Sequence, residues 1–280
     1  MRHQAKGVPV RLALIAALLL SAPLCAPAQE RRPSHCIAVA GGPERVQRAA
    51  WSDPVPERSV RLSYLGHSMF LIQTEGGLDI VTDYYGTLPD GAPAPDVVTM
   101  NHAHSTHWTD DVDGIPHVLR GWSDRFGIAA DHYLTLGDTL IRNVPTDIRS
   151  FGTVEENGNS IFVFEAGGLC IAHLGHLHHE PTDAQYATLG RVDVLLVPVD
   201  GSYTMEQAAM MRVVSRLNSS VVIPMHWFGP ARLEAFVSGM SGQFDIQRPG
   251  GGEYLASLRG LPDRPTVVVL EPVFPGRGWP

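Results

Sequence analysis

Apolar and polar positions fall into short, well-bounded runs from residue 60 onward. Residues 60–64 and 69–73 read as strands split by Gly66-His67, and 78–82 as a third that ends at Asp83. Residues 97–100, 117–120, 133–136, 139–144, 161–165 and 170–172 continue as strands. The second half alternates: strand 192–199, helix 205–217, strand 221–225, helix 231–238 and strand 266–270. Strands in hairpins followed by strands alternating with helices predict an α/β domain with helices laid over sheets. Residues 29–58, rich in Pro, Arg and Glu, read as an irregular lead-in.

Six histidines change this picture from architecture to chemistry. His102, His104 and His107 follow the strand at 97–100, His173 and His176 follow 170–172, and His226 follows 221–225. Imidazole binds zinc and its neighbours as a neutral base near physiological pH. Alternating side chains let His102 and His104 point the same way at a strand end. Scattered histidines would be surface or packing residues, but three at i, i+2 and i+5 just past a strand point to a metal site. In open α/β sheets, ligands sit beyond strand ends, where these groups fall.

Composition narrows the class. Hydrophobic content of 44% and charge of 18% fit a folded domain. The first 28 residues differ from the rest: Arg2, Lys6 and Arg11, an apolar run over 12–20, then Ala26-Pro27-Ala28. That is the pattern of a secretory signal peptide, too short in its apolar core to anchor stably, so a periplasmic or secreted product is expected. Its removal takes three positive charges and no acids, moving the net charge from -8 to -8 - 3 = -11. So acidic a body is a poor non-specific partner for nucleic acid or anionic lipid, and a small-molecule substrate is expected. Lys6 is the sole lysine, so Schiff-base chemistry, a P-loop lysine and a Ser-Lys dyad are excluded from the processed chain. Cys36 and Cys170 either pair or stay as buried thiols.

The ordered segments YLGHSMFLI, IVTDYY, NHAHSTH, IAHLGH and IPMHW resemble the metallo-β-lactamase superfamily. In appearance they are most similar to the branch of ascorbate-6-phosphate lactonase and N-acyl phosphatidylethanolamine phospholipase D. The resemblance covers roughly residues 60–272, within a domain expected over 59–273. It implies a four-layer αβ/βα sandwich with a metal site at one edge between two sheets. It also implies hydrolysis of a small ester, lactone or phosphodiester by a metal-bound hydroxide. Carried over residue by residue, it assigns His102, His104 and His173 to a first ion and His107 and His226 to a second. Asp83 matches a position that supports the ligand histidines from behind.

Two positions depart from the family pattern. Thr106 stands where H-x-H-x-D-H has its aspartate, and His176 where a bridging aspartate belongs. Two divalent ions about 3.5 Å apart repel by roughly 19 kcal/mol at an effective dielectric near 20. Neutral imidazoles offset none of it, so a single ion on His102, His104 and His173 is expected. Three histidines suffice to bring zinc-bound water to a pKa of about 7. Asp110, Asp111 and Asp200 are candidates to replace the missing carboxylate, and Tyr203 to hydrogen-bond an oxyanion. As loop residues, all four can equally be solvated or packing groups. His67 is expected to cap a turn rather than bind metal. Two functions stay open: an exported metal-dependent hydrolase, or a non-hydrolytic metal-binding protein on the same scaffold. Zinc, as one or two ions, suits the donor set, as do iron, copper and nickel.

Overall fold

A computed structural model describes residues 1, 35–37, 51–125, 127–150 and 152–273. The chain divides into two units, Met1–Arg31 and Arg32–Pro280, and the architecture is that of the second. The signal-peptide reading, Met1 apart, and most of the lead-in fall outside the described residues.

The strands in chain order are β1 (Ser59–Gly66), β2 (Met69–Thr74), β3 (Asp79–Val81), β4 (Val97–Met100), β5 (His117–Arg120), β6 (Tyr133–Leu136), β7 (Thr139–Ser150), β8 (Thr153–Ala166) and β9 (Leu169–His173). Then come α1 (Asp183–Leu189), β10 (Val194–Pro198), α2 (Gln207–Leu217), β11 (Val221–Met225), α3 (Pro230–Met240), β12 (Asp245–Gln247), β13 (Glu253–Ser257) and β14 (Thr266–Val268). They form a six-stranded sheet ordered β13-β1-β2-β3-β4-β5 and an eight-stranded sheet ordered β12-β14-β11-β10-β9-β8-β7-β6.

Side-chain alternation builds the layers. Val60, Leu62, Phe70 and Ile72 of the first sheet meet Phe162, Phe164, Leu196 and Ile223 of the second in the central core. On the other face of the second sheet, Ile161, Val163, Leu195 and Val197 pack against Met210 and Val213 of α2 and Phe236 of α3. The outer face of the first sheet, with Met69, Leu71 and Val98, is covered by Trp51, Tyr85, Trp108, Ile115 and Trp122 from irregular chain. The sandwich is therefore the expected one, with its fourth layer built of loops among the described residues. β10 and β11 are parallel and buried on both faces, which accounts for their unbroken apolar runs.

Several elements lie outside the sequence-based expectation. β7 and β8 run well beyond residues 144 and 161 as a long hairpin whose tip is exposed and whose added length is largely polar, so a run of apolar residues could not reveal it. α1 is only seven residues and starts with a capping box of Thr182 and Gln185. β12 is a three-residue edge strand with exposed ends. Cys36 and Cys170, whose pairing the sequence left open, form a disulfide with Cα atoms 5.5 Å apart.

The topology places one set of strand ends together. β3 and β4 are parallel, as are β9, β10 and β11. β1 is antiparallel to β2, and β2 to β3, so β1 ends on the same edge as β3. Just past these ends come Asp83, His102, His176, Asp200, His226 and His67.

Candidate metal centre

Six imidazoles from both sheets converge at that edge. His67 lies 5.0 Å from His107 and 4.2 Å from His226, ring centre to ring centre. His107 and His226 are 5.2 Å apart, and His176 is 4.6 Å from His107. His176 continues the array outward to His102 at 5.7 Å and His104 at 5.8 Å. Three residues at the site, His67, Asp83 and His226, hold left-handed backbone with φ of 52°, 45° and 53°. Such conformations cost free energy in non-glycine residues and persist where surrounding structure fixes them. Here the His67 carbonyl accepts from the Tyr64 hydroxyl at 2.8 Å and from the His226 amide at 2.8 Å.

Two aspartates set which ring nitrogen faces inward. Nδ1 of His107 lies 2.8 Å from Oδ2 of buried Asp83, whose Oδ1 accepts from the Asn101 amide. Nδ1 of His226 lies 3.0 Å from Oδ1 of Asp200. Oδ2 of Asp200 accepts from the amides of Ser202, Tyr203 and Thr204, and the Thr204 hydroxyl also donates to this carboxylate. An ionised carboxylate only accepts, so each imidazole carries its proton on Nδ1 and presents the Nε2 lone pair to the cluster. Nε2 of His107 is buried with no hydrogen-bond partner, as is Nδ1 of His176. His102 is oriented through Nδ1 by the Gly158 carbonyl at 2.6 Å, and His104 by the Thr106 hydroxyl at 3.0 Å. Thr106, standing where an aspartate was expected, thus orients a neighbouring ring.

Burial, then repulsion from neighbouring rings, disfavours protonation of His67, His104, His107 and His176. It holds His107 and His176 well below the ordinary histidine range and His67 at about 2. Burial raises Asp83 to about 6, still ionised at neutral pH. Burial also pushes Asp200 up, but hydrogen bonding and attraction from His226, with Thr204 and Ser202, outweigh it and hold the carboxyl well below its usual range. Neutral donors backed by two carboxylates suit a divalent cation. Nitrogens of His67, His107 and His226 all lie within 4.8 Å of one another, close enough for one ion to draw them together.

The expected ligand His173 lies elsewhere. Its Nε2 is 2.7 Å from the Ser68 carbonyl, and its Nδ1 accepts from the Asn101 side-chain amide and the Gly175 amide, both at 3.2 Å. With both nitrogens engaged, His173 ties the end of β9 to the start of β2. Gly175, at φ 59°, then turns the chain so that His176 reaches the cluster; a Cβ there would sit 2.0 Å from the Asn101 amide nitrogen. His67, expected to cap a turn, stands inside the cluster instead. The signal was present: like the other groups, it follows a strand directly.

The expected catalytic residues divide. Asp200 supports His226. The Asp110 carboxylate is 81% exposed and faces Arg120 at 3.5 Å. Asp111 is also exposed. Tyr203, 64% exposed, sets its ring edge-on to Phe228 at 5.1 Å, and Phe228 packs 5.1 Å from His226. His178, 4.8 Å from His176, accepts from the Arg149 amide, and burial and Arg149 lower it to about 4.

Comparison with known proteins agrees with this geometry. Residues 61–226 match the family model described as the beta-lactamase superfamily domain. A UPF0173 metal-dependent hydrolase of Methanosphaerula palustris is 26% identical over 188 residues, 60% of this chain and 84% of the relative. A Thermotoga maritima structure described as a Zn-dependent hydrolase of the metallo-beta-lactamase superfamily is 30% identical, with TM-score 0.54, over 75% of this chain and 98% of that one. Igni18, a metallo hydrolase of Ignicoccus hospitalis, shares the fold at 19% identity and TM-score 0.52, covering 76% of this chain and 96% of its own. With its family match spanning most of both sheets and its imidazoles gathered on one edge, this chain belongs to the metallo-β-lactamase superfamily, as a metal-dependent hydrolase.

Proposed function

We propose that this hydrolase is exported and cleaves a small ester, lactone or phosphodiester using zinc. The observation that carries the reading is the pairing of buried His107 and His226 with Asp83 and Asp200, which leaves inward-facing nitrogens and places negative charge directly behind them. A bound divalent ion supplies Lewis acidity and acidifies a water molecule at neutral pH. The chain holds His107 and His226 in one tautomer, and burial disfavours protonation of His67, His107 and His176. Phe228 and the exposed Tyr203 ring supply an apolar shoulder beside His226 for the apolar part of a substrate. The Cys36–Cys170 disulfide, together with the charged and apolar start of the chain, supports an oxidising compartment.

The test is a panel of nitrophenyl esters, lactones and a bis-nitrophenyl phosphodiester. Protein stripped with a chelator and protein reloaded with zinc, cobalt, nickel or copper would be compared, with metal content measured in parallel. Turnover that returns with zinc and tracks occupancy supports the reading. A well-folded, fully loaded protein inert towards all three substrate classes would overturn it.

A further inference from the structure

We propose that His67 is the third protein ligand of a tri-imidazole ion site completed by His107 and His226. This rests on reading the cluster as a metal centre, and it moves the ion from the expected His102, His104 and His173 to the buried inner rings. Among the described residues, these three histidines bring ring nitrogens within 4.8 Å of one another.

Three further observations bear on His67. Its left-handed backbone is held by the Tyr64 hydroxyl and the His226 amide, both on its carbonyl, and its ring centre lies 4.2 Å from that of His226. Buried Nε2 of His107 lacks a hydrogen-bond partner, an arrangement that a ligand bond would satisfy. Thr106 carries no carboxylate, and its hydroxyl is turned to His104. With the aspartate gone, His107 and His226 lack a carboxylate co-ligand, and His67, whose ring centre lies 4.2 Å from that of His226 against 5.3 Å for His176, supplies the third donor. Asp83 and Asp200 behind two of the rings bring two negative charges to balance a divalent ion. Three imidazoles with a position left for water match zinc, cobalt, copper or nickel, and exclude the hard oxygen-seeking ions calcium and magnesium.

The experiment is equilibrium dialysis of the full protein against zinc and cobalt, with X-ray absorption counting imidazoles on the bound zinc. The variants are His67→Ala, His67→Asn and His173→Gln. Asparagine tolerates left-handed backbone and removes the ring, so it separates lost ligation from lost folding. Expected are one tight ion in the unaltered protein and three imidazoles in its zinc shell. Both His67 variants should lose more than the ~10–100-fold in affinity that removing an outer partner costs. His173→Gln should keep its ion to within a few-fold, and added free imidazole should restore part of the affinity of His67→Ala. Unaltered affinity in folded His67→Asn, or zinc held by His102 and His104 instead, would overturn the inference while leaving the metal centre in place. If the unaltered protein bound no transition metal, the metal-centre reading would fail as well.

Discussion

The His226 amide donates to the His67 carbonyl at 2.8 Å while the two rings stand 4.2 Å apart, so each residue fixes where the other points. His67 leaves the first sheet and His226 leaves the second, and both sit in left-handed backbone. Asp200 adds a third constraint through Nδ1 of His226.

That dependence makes Asp200 a sensitive position. Asp200→Asn removes the charge that selects the His226 tautomer and weakens the acceptor for three backbone amides. Zinc affinity is expected to fall about 10–100-fold, as measured by competition with a chromogenic chelator. An unchanged affinity would show that Asp200 only shapes its loop.

The metal-free protein should lose stability as pH falls. Burial lowers His67 to about 2 and His178 to about 4, and holds His107 and His176 well down, against ~6.5 for exposed histidine in the unfolded chain. Below about pH 6.5 the unfolded state therefore binds more protons than the native state, and stability declines towards pH 4. Asp83 opposes this: its pKa, raised by burial to about 6, favours the native state at acid pH, but one carboxyl faces several imidazoles. Urea unfolding in chelator at pH 7.5, 6 and 5 checks the sign. A midpoint that rose on acidification would contradict it.

Thr106→Asp combined with His176→Asp should raise occupancy from one ion towards two per chain. The carboxylates supply charge where repulsion between two ions is greatest, and each is a good zinc ligand. Elemental analysis of the folded double variant decides. A ratio still at one would count against the electrostatic account.

Reduction of the Cys36–Cys170 disulfide, or Cys36→Ser, should cost about 2–5 kcal/mol in stability, because it opens a long loop in the unfolded chain. Thermal melts with and without reductant measure this. The zinc affinity of the reduced protein, while folded, should be unchanged.

Exported protein should begin at or near Gln29, after Ala26-Pro27-Ala28. N-terminal sequencing of material recovered outside the cytoplasm reads this directly. Recovery of Met1 there would defeat it.

Much of the scaffold was legible because burial writes itself into sequence. β10 and β11 carry unbroken apolar runs because both faces are covered. The outer part of the β7–β8 hairpin carries no such run, and polar side chains such as Asn159 and Thr146 bond across it. At the site, strand-end position located His102, His104, His107, His176 and His226 in one cluster. It could not separate His67 from His173, because both flank strands and only the local turn decides the direction of the ring. Gly175 turns the chain beyond His173, whose nitrogens engage Ser68, Asn101 and Gly175, whereas the left-handed turn at His67 brings that ring inward.

His107 and Asp83 follow strands of the first sheet, His226 and Asp200 follow strands of the second, and the two sheets share no paired strand, although a single bridge between His102 and Asn159 joins them. The consequence is mechanical. An ion held between His107 and His226 would rivet one half of the sandwich to the other at an open rim, well away from the greasy middle. Prising the halves apart would then require surrendering the ion, so resistance to heat and denaturant would follow free zinc concentration.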